Sequence, residues 1–117
     1  MSGFLVSLPV PPSVNGLYAN RKSGGRHKTR AYRQWCNDAG WEIKSQKPIS
    51  VLGKYKFFLT LPKLPANSDP DNRCKAALDL LVALKLVQDD SSAYCVGVNV
   101  AIDEELPGHA TISVEGV

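Results

Sequence analysis

The sequence predicts a small α+β domain, with two helices packed on one face of a mixed β-sheet in the order β-α-β-α-β-β. Two segments, up to residue 46 and over about 70–86, place apolar side chains at helical spacing. Four shorter runs are rich in β-formers and bounded by turn residues. The 117 residues, 44% of them hydrophobic, are enough for one core, and no repeat, low-complexity tract or linker divides residues 1–117.

Each element has its own cause. FLVSLPV (4–10) is a short strand candidate stopped by Pro9, Pro11 and Pro12. The following PPSVNGLYANRKSGGRHKT reads as loop throughout, from its Pro-Pro, Asn-Gly and Gly-Gly pairs. Thr29 then caps a helix to about residue 46, with Tyr32, Trp35, Cys36, Ala39 and Ile43 forming its apolar stripe. KYKFFLTL (54–61) alternates as a strand does. The spacing predicts a second helix from about Pro70 to Leu86, and then strands at 94–102 and 110–114 joined by the acidic turn DEELPG.

Composition narrows the function classes. No apolar run approaches the ~20 residues needed to cross a bilayer, so no membrane partner is expected. The opening MSGFLVSLPVPP lacks a basic leader region and is not expected to be a signal peptide. Cys36, Cys74 and Cys95 are odd in number and widely separated, which suits small buried residues in a reducing cytoplasm rather than a disulfide frame or zinc site. No GxSxG, Walker or Rossmann glycine pattern occurs, and His27 and His109 stand apart from each other and from the cysteines. Charge is divided: residues 1–63 hold eleven Lys/Arg against two acids, and residues 64–117 hold three against nine. A basic half suits a polyanion, and clustered carboxylates suit divalent cations.

The stretch ANSDPDNRCKAALDLL (66–81) concentrates the chemistry. Asp69-Pro70-Asp71 satisfies the rules for a helix start, with Asp at the cap, Pro at the first helical position and acid in the first turn. It also begins a polar line, Asp71, Lys75 and Asp79, at spacings of four along an otherwise apolar helix. Asp89 and Asp90 follow the helix, and Asp90 meets the early acids only if the chain folds back. Carboxylates so gathered would hold Mg²⁺, which takes oxygen ligands and polarises a phosphodiester, while a lysine offsets charge in the transition state. Capping and metal binding both remain open on spacing alone.

RKSGGRHKTRAYR (21–33) supplies a second constellation. Arg21, Lys22, Arg26, Lys28, Arg30 and Arg33 are candidate phosphate contacts, and Tyr18 and Tyr32 are aromatics able to stack on exposed bases.

Taken in order, LPVPPSVNGLY, the basic segment, DPDNRCKAALDLL and LVQDD resemble the RusA family of Holliday-junction resolvases, over nearly the whole chain. The resemblance implies a homodimeric endodeoxyribonuclease using Mg²⁺, with Mn²⁺ as a substitute, that binds four-way DNA and nicks two opposed strands in recombination and repair. It matches Asp69, Asp71 and Asp90 to the metal-binding acids and Lys75 to the catalytic lysine, with Asn72 and Asp79 as structural support. The competing expectations are a non-catalytic DNA-binding module and a less selective nuclease for branched DNA.

Overall fold

The computed structural model describes residues 2–117. Its elements are β1 (Gly3–Pro9), β2 (Tyr18–Asn20), β3 (Arg26–Lys28), α1 (Arg30–Ser45), β4 (Tyr55–Leu61), α2 (Cys74–Ala83), β5 (Cys95–Ile102) and β6 (His109–Gly116), with 3-10 turns at Val14–Gly16 and Pro70–Arg73. The four long strands form one mixed sheet in the order β1-β6-β4-β5. β6 lies between β1 and β4, antiparallel to both, and β5 runs parallel to β4 at one edge.

Alternation along the strands decides which face is covered. Val6 and Leu8, Phe57 and Leu59, and Ala110, Ile112 and Val114 are buried with Trp35, Ala39 and Ile43 of α1 and Ala76, Ala77 and Leu81 of α2, so both helices cover the same face. The other face meets solvent, which the antiparallel set β1, β6 and β4 tolerates. There Leu5 is exposed and Ser7, Thr60 and Ser113 are partly so.

The expected class is therefore found, with two corrections. The segment expected to be loop throughout contains a hairpin: β2 pairs antiparallel with β3, Tyr18 opposite Lys28 and Asn20 opposite Arg26. Its turn places Gly24 and Gly25 at φ +95° and +79°, in the left-handed region that glycine enters without steric cost. Three-residue strands give too little alternation to show in a sequence so rich in cations. The second helix is shorter than expected. Its first turn, Pro70–Arg73, is 3-10, and the α-helical part ends at Ala83.

The helix ends share a device. The Lys47 and Lys85 N–H groups donate to the Lys44 and Val82 carbonyls, at 3.0 Å each, and both lysines have positive φ. After α2 the Leu86 N–H also reaches back to the Leu81 carbonyl at 3.0 Å, and both leucines are buried, which completes a Schellman motif. After α1 the equivalent donor is missing because Pro48 has no N–H. The Gln46 side chain there takes another role: its amide accepts from the Ser7 N–H at 2.8 Å and donates to the Ser7 carbonyl at 2.7 Å. It thus occupies both backbone groups on the outer edge of β1, as a neighbouring strand would.

Candidate active site and nucleic-acid interface

Asp69 stands in the N-cap position with extended backbone and Pro70 after it, but its side chain makes no capping hydrogen bond. Capping therefore accounts for where the residue sits and leaves its carboxylate uncommitted. Asp71, in the first turn, is exposed, and its charge adds to burial in pushing the Cys74 thiol up. One turn on, the Lys75 ammonium lies 3.2 Å from Oδ2 of Asp79. That contact, foremost, and the further charges of Asp79 and Asp90 hold the ammonium above its ordinary pKa.

Asp90 reaches this group by a fold-back that spacing alone left undetermined. After the reversal at Lys85 the chain runs beside residues 50–55. The Ser50 hydroxyl donates to the Lys85 carbonyl at 2.9 Å, and the Val51 N–H to the Leu86 carbonyl at 2.8 Å. The Gly53 N–H donates to Oε1 of Gln88 at 2.6 Å, and the hydroxyl of fully buried Tyr55 to the Asp89 carbonyl at 2.7 Å. This seam returns Asp90 beside Asp79, where both line one cleft of about 340 Å³. Partial loss of solvent and then the neighbouring Asp79 charge raise the Asp90 carboxyl above the usual carboxylate range.

The structure thus brings Lys75, Asp79 and Asp90 together. Asp71 precedes Asp79 by eight residues, roughly 13 Å along the axis at about 2.0 Å per 3-10 residue and 1.5 Å per α-helical residue. Asp69 opens on a different cavity, with Asn15 and Arg73. Among the described residues no group of three or more His, Cys, Asp or Glu lies close enough to hold a metal ion. The donor chemistry nevertheless fits a hard divalent ion. Mg²⁺ commonly takes one or two carboxylates and fills its remaining positions with water and substrate phosphate. Two neighbouring carboxylates facing one ammonium also leave an excess of negative charge that a cation would relieve.

The opposite wall of the cleft comes from the hairpin and α1. Tyr18, Lys28, Tyr32 and Cys36 line it together with Asp79 and Asp90. The Lys28 ammonium is 5.2 Å from the centre of the Tyr32 ring, and the Arg26 guanidinium is 4.7 Å from that of Tyr18. The two tyrosines meet edge to face, at 5.9 Å and 77°. Arg21 and Lys22 sit in the hairpin turn, Arg30 and Arg33 on the first turn of α1, and all six cations named from the sequence are exposed. Arg33 donates to the Lys28 carbonyl at 3.3 Å, tying α1 to the end of β3.

Two features of this region lie outside what the sequence predicts. Asp79, expected to be structural support, is the residue to which both Lys75 and Asp90 come. Tyr55 holds the loop that presents Asp90, and nothing in the alternation of KYKFFLTL sets it apart. The three cysteines are free, and no helix among the described residues is long and apolar enough to cross a membrane. No family model matches this chain, and no curated protein matches it in sequence.

Proposed function

We propose that this chain is a metal-dependent endodeoxyribonuclease that resolves four-way DNA junctions by paired nicks, acting as a homodimer. The observation that carries the reading is the meeting of Asp79 and Asp90 in one cleft, opposite Lys28, Tyr18 and Tyr32, with Lys75 paired to Asp79. Acids and a lysine suit phosphodiester hydrolysis, and a cationic hairpin beside them suits the strand being cut. The motif order resembling the RusA family adds to this reading.

In this assignment, which follows the motif order, Asp69, Asp71 and Asp90 hold Mg²⁺, or Mn²⁺ in its place. Because the three stand apart in this structure, Asp69 and Asp71 must be drawn toward Asp90 when the ion binds. When bound, the ion supplies a polarised phosphodiester and an activated water. Lys75 offsets charge that grows on the phosphate oxygens. Asp79 orients Lys75 through its contact at 3.2 Å. Arg21, Lys22, Arg26, Lys28, Arg30 and Arg33 hold the DNA backbone, and half-buried Tyr18 offers its ring to a base unstacked at a branch point. Tyr32 is fully buried and only supports Lys28 and Tyr18.

The test is incubation with a synthetic four-way junction, with and without Mg²⁺, and mapping of the nicks. Paired, Mg²⁺-dependent cuts in opposed strands are expected. Asp71→Asn should lower the cleavage rate by at least about 100-fold, the scale of removing one electrostatic stabiliser of the transition state, with junction binding retained. Full cutting by Asp71→Asn alongside an inactive Asp79→Asn would transfer the metal to the Asp79–Asp90 pair. A second reading, a DNA-binding module without turnover, draws on the lack of any preassembled three-acid group among the described residues. Binding of junctions with no cutting in either metal would establish it.

A further inference from the structure

A second polar cavity, of about 250 Å³, lies between the 13–16 turn and residues 67–73. Ser13, Asn15, Asn67, Asp69, Asn72 and Arg73 line it. Several of its polar groups are unspent. Ser13 and Asp69 both occupy cap positions without making a capping hydrogen bond. Arg73 is tied down through Nη1, which donates to the Pro11 carbonyl at 2.7 Å, while its Nε is buried without a partner. A buried donor left unmet is costly, and a guanidinium already fixed at one end loses little freedom when its other nitrogens bind something.

We infer that this cavity seats a phosphodiester group of bound DNA, held by Arg73 and by the side-chain amides of Asn15 and Asn67. The inference rests on the reading of the protein as a DNA-binding enzyme and names a contact outside the cationic hairpin. Hydroxyl, amide and guanidinium donors are the groups that meet phosphate oxygens in DNA complexes. No aromatic side chain lines the cavity, so it offers a base no ring to stack on. Asp69 is the one carboxylate in its wall, opposed by the one guanidinium. Hydrogen bonding therefore dominates over net charge here, and Asp69 repels the phosphate when no cation is present.

The test uses the full chain and a synthetic four-way junction in EDTA, so that binding is read without cleavage. Asn15 and Asn67 are exposed, and the double variant Asn15→Ala/Asn67→Ala should keep its fold, checked by circular dichroism. It should bind the junction at least about tenfold more weakly, the effect expected of removing two hydrogen bonds from uncharged amides to a phosphate, with the same salt slope because no cationic side chain is removed. Replacing single phosphates with neutral methylphosphonate should reveal one position that weakens the wild type and leaves the double variant unaffected. Asp69→Asn should tighten binding in EDTA, roughly threefold for removal of one nearby repulsive charge. Wild-type affinity in the double variant would overturn the inference and leave the nuclease reading standing. Weakening that changes with the base sequence would overturn it in favour of a base-reading pocket. A wild-type chain that binds no junction would remove the DNA-binding reading itself.

Discussion

Tyr55 shows how much of the candidate site depends on one side chain that never touches it. Its ring is fully buried, which pushes the phenol well above its ordinary pKa, so the hydroxyl stays protonated as the donor to Asp89. Tyr55→Phe keeps the ring and leaves the Asp89 carbonyl without its donor. Stability should fall by about 1–2 kcal/mol, the range for orphaning one buried acceptor. Under the proposed function Tyr55 is also a positioning residue for Asp90. Single-turnover cleavage by the variant should fall about tenfold, with a raised Mg²⁺ requirement and unchanged junction affinity, as when an outer-sphere support is removed. A drop in melting temperature with wild-type Mg²⁺ dependence would reduce Tyr55 to a structural role.

Among the elements, α2 and the hairpin make separate predictions. Lys85 holds the left-handed position of the Schellman motif that ends α2, a place glycine takes without steric cost. Lys85→Gly should stabilise the fold by about 0.5–1 kcal/mol, after the entropy of glycine in the unfolded chain is set against the relieved strain. A rise in the denaturation midpoint at constant slope would show it, and a fall would mean that the lysine side chain is needed there. The hairpin is the electrostatic element. Neutralising Arg26, Lys28 and Arg30 together should weaken junction binding and flatten its dependence on log salt by roughly 2 to 3 units, near 0.9 for each phosphate left without its cation. An unaltered slope would remove this hairpin from the interface. The hairpin also explains why the basic segment reads as loop in the sequence. Its strands are three residues long, and cation–π contacts to Tyr18 and Tyr32, rather than an alternating apolar face, hold its side chains.

For the molecule as a whole, the sheet order β1-β6-β4-β5 with both helices on one face puts the hairpin, α1, α2 and the Asp89–Asp90 loop around a single cleft. One chain presents one such cleft, whereas symmetric resolution of a junction takes two related by a two-fold axis. The proposed activity therefore predicts a dimer by sedimentation at cleavage concentrations. On a supercoiled plasmid with an extruded cruciform, both cuts should fall within one binding event and give linear product directly. Accumulation of singly nicked circles by a monomer would contradict paired action and favour a nicking enzyme for branched DNA.

The sequence by itself determined the class of fold, the positions of α1 and the four long strands, and the chemical inventory of acids, lysine and basic segment. These follow from local rules: periodicity of two or near 3.6, capping and turn residues, and composition. Tertiary structure alone decided which members of that inventory meet. Asp79 and Asp90 are eleven residues apart in the chain and become neighbours because a seam of hydrogen bonds between residues 50–55 and 85–89 returns the loop after α2. Asp69, two residues from Asp71, faces another cavity instead. Side-chain convergence is set by contacts between residues some 35 positions apart, such as Ser50 with Lys85, and no local pattern encodes a contact of that range.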